Sequence, residues 1–548
     1  MNKIIKKNHI TLITFILPLI LILIGFFLHR DYGISLDEEI SRMNGLVSIK
    51  YICDFLFPQI THNFDLIKNI PNLENYSDRQ YGTFFEVLLI FVIEILLEIK
   101  NFSEIIYYRH LINHLIFIIS VISFYFLCLQ LFKNKFFSFF GAAALYTSPR
   151  IFADSFYNNK DLIFLSFFIF LIFFSIKFIK KSNYYNAFLL SIFSAIAINL
   201  RIVAIYIGIL IAAFFIIDFL IKNKADIKKI KTLFFFFILQ FIFLYLIWPF
   251  LWESPLENLI YTVKNFSRFT SLGTYIFYLG NFHKVHYLPW HYIFVCFFAT
   301  TPLLITILIG SGLIQLSLRF FKRLINIDQN KPFNDIWRGE KEKIFLFIFF
   351  IIFIPFFAFF LFDTIFYNSW RHLFFLYPPL ILAAIFSVDT LYKKFKKKNI
   401  LMYLNGILIF ILFTNIYNLA ALHPFQYIYF NSIFEKKANK LFAIDYWGVS
   451  NKHSLEKIIK ESPQKNKIKI GVASFTNLYL SKKMISEKSK DKLIITGQNF
   501  DDVDFIYSNN YFELNPKYAH KYLIPKNYIK HSKLKKGDIL INEFYIKK

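Results

Sequence analysis

Three adjacent acids, Asp37, Glu38 and Glu39, are the most conspicuous chemical feature of the sequence. They follow an almost entirely apolar stretch, residues 9–28, that is long enough to cross a bilayer as a helix. A carboxylate held in a cavity can take a proton from a hydroxyl or amine as that group attacks a substrate. The acids are therefore candidates for a catalytic base, provided that the rest of the chain builds a cavity around them.

Further ionisable residues lie at the ends of later apolar stretches, where they would gather at one face of a membrane. They are Arg150, Lys160, Asp161, Arg201, His291, Arg371 and His372. Arginine and histidine can hold a phosphate group and neutralise charge that develops on it. Asp161 also has a simpler explanation, because an acid at a helix N-terminus is favoured by the helix dipole. So many polar span ends on one side predict a shared cavity rather than unrelated membrane anchors.

The composition is that of a polytopic helical membrane protein. Of its 548 residues, 56% are hydrophobic and 21% aromatic, and the apolar residues fall into blocks long enough to span a bilayer. The net charge of +26 lies mainly in short gaps between these blocks, a pattern that indicates membrane topology rather than binding to nucleic acid. Cys53, Cys128 and Cys296 lie far apart and predict neither a disulfide framework nor a metal site.

The basic gaps predict eleven spans, with the N-terminus in the cytoplasm beside Lys3, Lys6 and Lys7. Residues 9–28 are interpreted as a retained anchor, because they are long for a signal peptide and lack a small-residue cleavage site. The predicted spans are 9–28, 110–132, 136–152, 161–178, 185–200, 202–221, 232–251, 291–318, 344–362, 372–390 and 400–421. An odd number of spans places the C-terminal region outside.

Two external regions follow from this topology. The first loop, 29–109, contains an apolar stretch, Phe84–Ile99, that predicts a helix lying at the membrane interface. Residues 423–548 are polar and predict a small α/β domain, with a helix at Ser454–Glu461. Its predicted strands begin at Ile468, Leu493, Asp504 and Ile539. The expected fold is an all-α membrane domain, 1–422, followed by this α/β domain.

The order of these motifs resembles the GT-C superfamily of integral-membrane glycosyltransferases. It is most similar to bacterial relatives of the dolichyl-phosphate-mannose protein mannosyltransferases and of the lipid A aminoarabinose transferase. The resemblance covers about residues 1–420 and rests on the first-loop acids of Leu36-Asp37-Glu38, the interfacial helix after Tyr81-Gly82-Thr83, the stretch Arg150 to Asp161, and the motif Arg371 to Pro378. One departure is that Tyr81-Gly82-Thr83 stands where such enzymes often have two prolines.

The resemblance implies an inverting glycosyltransferase of the bacterial cytoplasmic membrane. It would move a sugar from a polyprenyl-phosphate donor to a lipid, glycan or protein acceptor at the external face. Asp37 would be the base with Glu38 as its neighbour, Asp161 the second acid, and Arg371 the phosphate-binding residue; Glu39 leaves the choice of base open. We expect Arg150, Lys160, Arg201, His291 and His372 to line the substrate cavity. No resident cofactor is expected, and a divalent metal shared by Asp37 and Asp161 is not favoured.

Two other functions are compatible with parts of the sequence. A transporter or flippase of lipid-linked sugars would also place polar residues in spans, but nearer the middle of the bilayer and open to both sides. A scaffold whose C-terminal domain recruits partners would need no closed cavity around Asp37. There is no P-loop and no G-x-G-x-x-G motif, so a nucleotide-binding fold has no support.

Overall fold

A computed structural model describes nine segments of the chain. They are residues 17–61, 64–222, 226–267, 275–325, 337–361, 364–395, 397–476, 478–511 and 520–548. The N-terminal lysines and the first part of the predicted span 9–28 lie outside the described residues.

The described chain is mostly helical. Its α-helices are α1 (Leu17–Leu28), α2 (Leu36–Leu56), α3 (Pro58–Thr61), α4 (Phe84–Ile90), α5 (Phe102–Phe132), α6 (Lys135–Tyr146), α7 (Pro149–Tyr157), α8 (Asp161–Lys180), α9 (Tyr184–Leu200), α10 (Ile205–Lys222), α11 (Ile227–Ile247), α12 (Pro255–Ser267), α13 (Tyr292–Thr300), α14 (Leu303–Ile325), α15 (Glu340–Leu361), α16 (Tyr377–Lys394), α17 (Lys398–Leu422), α18 (Ala438–Leu441), α19 (Asn451–Glu461), α20 (Tyr479–Lys482) and α21 (Glu487–Lys490). A 3-10 segment, Arg371–Leu376, leads directly into α16.

Eight helical stretches among the described residues are long and apolar enough to cross a membrane. They are Phe102–Phe132, Asp161–Lys180, Ile202–Leu220, Ile227–Ile247, Leu303–Ile325, Glu340–Leu361, Arg371–Lys394 and Asn399–Leu422. The apolar helices α1 and α9 are shorter. The chain is therefore a membrane protein in architecture, but the predicted count of eleven spans is not confirmed.

Two of the predicted spans are wrong as single helices. Residues 136–152 comprise nearly all of α6 and the start of α7, with a break before Pro149, which occupies the first turn of α7. Residues 291–318 divide into α13 and α14 at Thr301-Pro302. Proline lacks a backbone N–H and clashes with the preceding helical turn, which explains why each apolar stretch is interrupted there.

The first loop is helical, as predicted. Its longest element is α2, and the stretch Phe84–Ile99 forms α4 followed by a π-helical turn, Phe91–Leu96. Phe91 and Leu96 are exposed on this element, as an interfacial helix requires.

A five-stranded mixed sheet forms the C-terminal domain. A short hairpin, β1 (Tyr275–Tyr278) and β2 (Asn281–Lys284), precedes it in the chain, and the sheet contains β3 (Ile468–Val472), β4 (Leu493–Gly497), β5 (Phe505–Ser508), β6 (Tyr528–Lys536) and β7 (Ile539–Lys547). The order is β4-β3-β5-β7-β6, with β3 parallel to β4 and β5, and β7 antiparallel to β5 and β6.

The core of this sheet domain begins later than the predicted boundary at residue 423. Leu455, Ile470 and Phe544 belong to a separate hydrophobic cluster, whereas Phe425 and Val449 pack into the core of the membrane domain. The segment 423–449 is thus part of the membrane domain's packing. It connects the helical bundle to the sheet domain.

Candidate functional site

Arg371 lies at the centre of a buried ion cluster formed by three distant parts of the chain. Its Nη1 donates to Oδ2 of Asp37 at 3.2 Å and to Oδ2 of Asp161 at 3.0 Å. The side chains of Arg371 and Asp161 are 4% and 2% exposed, whereas Asp37 is 35% exposed. Asp37 is therefore the carboxylate of this cluster that an incoming molecule can reach.

Arg201 extends the cluster on the other side of Asp161. It lies in the short link between α9 and the 3-10 turn Ile202–Ala204, and its Nη2 pairs with Oδ1 of Asp161. Asp161 consequently lies between two arginines, and a buried carboxylate needs such partners to remain charged. Arg201 is 28% exposed, so part of its guanidinium remains available.

The local sequence explains why these acids point into the cluster. Asp37 lies in the first turn of α2 and Asp161 begins α8, where the helix dipoles favour negative charge. The start of α8 is fixed because Oδ1 of Asn158 accepts from the backbone N–H of Asp161 at 2.8 Å. The start of α2 is fixed because Oε2 of Glu38 accepts from the backbone N–H of Ser35 at 2.7 Å.

The three adjacent acids have three different environments. Glu38 is fully buried, and its Oε1 lies 3.0 Å from Nε2 of His110. Glu39 points outward, where its Oε1 accepts from Nζ of Lys483 in the sheet domain at 2.8 Å. The geometry therefore separates Asp37, which faces the cluster, from Glu38, which holds α2 against α5.

Lys160 is the cation at this site without a carboxylate partner among the described residues. It is half-buried, and its Nζ lies 4.2 Å from the centre of the Tyr81 ring. Burial lowers the pKa of Lys160, while the nearby charge of Asp37 acts in the opposite direction. Burial also raises the pKa of Tyr81 to about 12, so its hydroxyl remains protonated at neutral pH.

A buried polar contact fixes the loop that carries Lys160. Nδ2 of Asn159 donates to Oε1 of Glu86 at 2.5 Å, and Nη2 of Arg109 donates to Oε2 of the same carboxylate at 2.5 Å. Glu86 belongs to α4 and Arg109 to α5, so the first-loop helix is tied to the start of α8. Gly82 allows this close packing, because a Cβ there would overlap the backbone of Asn199.

Aromatic side chains enclose Arg371, and one of them comes from the C-terminal segment. The guanidinium carbon lies 4.8 Å from the ring centre of Tyr367 and 5.0 Å from that of Trp447. The carbonyl of Trp447 also accepts from the N–H of Leu36, immediately before Asp37, at 3.3 Å. Trp447 thus contacts Arg371 and the residue that precedes Asp37, a role that the sequence did not indicate.

The loop that presents Trp447 is rigidly built. Oδ1 of Asp445 accepts from the N–H of Val449 at 3.1 Å, and Oδ2 accepts from the hydroxyl of Ser450 at 2.5 Å. Gly448 has φ of +69°, a left-handed conformation that costs glycine little.

Asp154 is a further acid close to the cluster. It is buried on α7, and the amide of Asn158 lies within 3.5 Å of its Oδ1 and 3.4 Å of Oδ2 of Asp161. Burial raises the pKa of Asp154 to about 7, although the charges of Arg150 and Arg371 oppose that shift. This acid therefore holds its proton to a higher pH than an ordinary aspartate.

The remaining predicted residues lie around the cluster rather than in it. Nε of Arg150 donates to the carbonyl of Tyr429 at 3.3 Å. His372 follows Arg371 directly and packs on Tyr367, with ring centres 4.6 Å apart. Nδ1 of His291 lies 2.6 Å from the Tyr278 hydroxyl, so the structure places it against the β1–β2 hairpin.

An apolar groove is lined in part by sequence neighbours of Arg371. It has a volume of about 670 Å³, and its lining is almost entirely hydrophobic. Trp370 and Leu373 line it, together with Phe320 of α14 and Phe349 of α15. Phe357 is 67% exposed in this lining, so the groove is open towards the surrounding lipid.

Arg371 occupies the position between Asp37 and Asp161 where a shared metal ion would lie. Within the described segments, no group of three or more His, Cys, Asp or Glu residues is arranged to hold a metal ion.

No protein-family model matches the chain, and no match is found among the curated proteins. The site must therefore be interpreted from its own geometry.

Proposed function

We propose that this protein is an inverting glycosyltransferase of GT-C type that transfers a sugar from a polyprenyl-phosphate carrier to an acceptor. One observation carries the proposal: Arg371 lies in the ion cluster, whereas its neighbours Trp370 and Leu373 line the apolar groove. A lipid-linked sugar phosphate likewise combines a charged headgroup with an apolar chain. A cluster and a groove that share the segment 370–373 suit such a donor.

The groove would hold the polyprenyl chain. Its volume is within the range of ligand pockets, and its hydrophobic lining opens to the bilayer from which a lipid carrier arrives. A soluble nucleotide sugar would gain nothing from such a lining.

We propose that Lys160 and Arg201, rather than Arg371, hold the carrier phosphate. The one Arg371 nitrogen that donates already has two carboxylate partners. Lys160 has no carboxylate within ion-pair distance in the described structure, and Arg201 is partly exposed. An arriving phosphate would supply the missing negative charge and stabilise the charged form of Lys160. Arg371 then has the role of holding Asp37 and Asp161 in place.

The reaction follows from these positions. A hydroxyl or amine of the acceptor attacks the anomeric carbon, and Asp37 takes its proton as the new bond forms. The bond from the anomeric carbon to the phosphate oxygen breaks, and its electron pair leaves with the polyprenyl phosphate. Lys160 and Arg201 stabilise the charge that develops on the leaving phosphate. A single displacement of this kind inverts the anomeric configuration.

The transporter alternative is not favoured by any specific observation. A flippase would need polar groups near the middle of its spans and access from both sides. Asp161 and Arg371 instead begin their candidate spans, on the side that carries the sheet domain. We place this side at the external face of the bacterial cytoplasmic membrane, because the basic gaps between spans are expected to be cytoplasmic.

The proposal is tested in purified protein reconstituted into liposomes. The substrate is a radiolabelled sugar on polyprenyl phosphate, with a membrane extract as the source of acceptor. We expect label to move from the carrier to the acceptor, with no transfer from UDP- or GDP-sugars alone. Transfer from a nucleotide sugar without carrier would exclude the proposed donor class. Movement of the intact labelled carrier across the bilayer, without transfer, would instead establish a flippase.

A further inference from the structure

A group of lysines lies where the sheet domain meets the end of the last candidate span. We define the lysine cluster as Lys436, Lys437, Lys440, Lys533, Lys535 and Lys536. All are exposed except Lys536, which is half-exposed. None of them has a part in the ion cluster or in the proposed reaction.

Two segments bring these lysines together. The first three lysines lie in residues 435–441, and the others lie at the end of β6. The side-chain amide of Asn439 joins residues 435–441 to β7, which pairs with β6, because Oδ1 accepts from the N–H of Leu540 at 2.9 Å and Nδ2 donates to the Leu540 carbonyl at 2.6 Å.

Lys536 contacts the end of the last candidate span. Its Nζ donates to the carbonyl of Ala421 at 3.3 Å, and Ala421 is next to the last residue of the candidate span Asn399–Leu422. Tyr417, one helical turn earlier, is 66% exposed on the same helix. Exposed tyrosines at span ends are typical of the headgroup region. Lys536 is therefore held at the end of this candidate span.

The local electrostatics indicate a positive surface. Burial lowers the pKa of the neighbouring His453 to about 3, and the charges of Lys452, Lys460 and Lys536 act in the same direction. Glu435 and Asp538 are the acids within the two segments, so the six lysines exceed them in charge. β6 is also an edge strand, which leaves one side of its backbone free to face another surface.

We infer that the lysine cluster binds anionic phospholipid headgroups of the leaflet on the sheet-domain side, and thereby holds the sheet domain against the bilayer. The favoured occupant is the bilayer rather than a soluble anion, because Lys536 is anchored at a span end and the adjoining face of α17 is exposed to lipid. Each lysine close to an anionic membrane surface contributes about fivefold to such association. This inference does not depend on the proposed reaction.

The test is hydrogen–deuterium exchange of the full chain in nanodiscs. One preparation contains only phosphatidylcholine, and the other also contains phosphatidylglycerol. We expect slower exchange over residues 530–541 in the anionic nanodiscs at low salt, and loss of that difference at high salt because the interaction is screened. Equal exchange in the two lipids would overturn the inference.

A triple variant, Lys533→Gln, Lys535→Gln and Lys536→Gln, should lose the lipid-dependent protection. A matched variant, Lys488→Gln, Lys492→Gln and Lys526→Gln, removes the same charge elsewhere on the sheet domain. It should retain the lipid-dependent protection of residues 530–541. Exchange of β3 and β5 reports whether each variant is folded; if the first variant does not fold, the comparison of lipids and salt in the wild type still decides. Protection produced in phosphatidylcholine nanodiscs by added inorganic phosphate would identify a soluble anion and contradict the lipid assignment.

Discussion

The Nη1 atom of Arg371 lies 3.2 Å from Oδ2 of Asp37, although the two residues are 334 positions apart in the chain. This contact joins the start of α2 in the first loop to the turn that opens the span Arg371–Lys394. Asp37 is the more exposed partner, and Arg371 is enclosed between Tyr367 and Trp447. The arrangement leaves the carboxylate accessible while a rigid, buried cation fixes its direction.

Replacing Asp37 with asparagine should abolish most of the proposed sugar transfer. Asparagine retains the size of the side chain but cannot take the acceptor's proton, and loss of a general base typically costs about 10²- to 10⁴-fold in rate. The measurement is kcat for transfer from the labelled polyprenyl-phosphate sugar in liposomes. Glu39→Gln is the matched control, because Glu39 pairs with Lys483 at the surface, and its activity should stay near the wild-type value. Full activity of Asp37→Asn would exclude Asp37 as the base.

Replacing Lys160 with glutamine should weaken donor binding more than it slows the chemical step. Hydrogen bonds to charged groups contribute about 1.5–3 kcal/mol, so KM for the lipid donor should rise by roughly 10- to 100-fold. Lys100→Gln is the control, since Lys100 is an exposed lysine before α5 and outside the cluster. If Arg371→Lys raised the donor KM while Lys160→Gln did not, the phosphate would belong at Arg371.

The meeting of Asp37, Asp161 and Arg371 could be predicted from the sequence. Each residue lies at the polar end of an apolar stretch, and charge patterns place those ends on one side of the membrane. The choice among the three acids could not be predicted, because successive residues of a helix point about 100° apart. Their partners, His110 and Lys483, are remote in sequence.

Other features depended on tertiary contacts that leave no sequence pattern. The Trp447 loop contacts Arg371 only because residues 423–449 pack into the membrane domain. β6 was missed because its lysines make it resemble a solvated segment, although Tyr528 is buried and the strand pairs along β7. The helix breaks at Pro149 and Pro302 were not predicted, because each stretch was interpreted as one continuous span from its apolar composition in spite of the proline.

Asp154 should make the folded protein less stable as pH rises from about 4 to about 7. Its pKa is raised from 3.8 to about 7 by burial, so between these values the folded state binds more protons than the unfolded state. Stability falls with pH wherever the folded state binds the additional proton. Asp154→Asn removes this titration and should flatten that part of the profile. The measurement is the thermal unfolding midpoint in detergent across this pH range.

The control for this titration is Asp501→Asn, because Asp501 is exposed in the sheet domain. In that variant the thermal unfolding midpoint should depend on pH as it does in the wild type. If the midpoint of folded Asp154→Asn also showed the wild-type dependence on pH, Asp154 would not titrate in this range.

Filling the apolar groove should impair transfer from long-chain donors selectively. Ala358 lines the groove, and Ala358→Trp would occupy space that the proposed polyprenyl chain needs. Displacement of the chain would misplace the sugar phosphate near Asp37, and a misplacement of about 1 Å can cost about 100-fold in kcat/KM. A donor with a short prenyl chain does not fill the groove and should be affected much less. Ile216→Trp, which places the same indole ring at an exposed site on α10, should leave both donors unaffected. Equal losses for the long and short donors in Ala358→Trp would place the chain elsewhere, so the ratio of the two kcat/KM values is the decisive measurement.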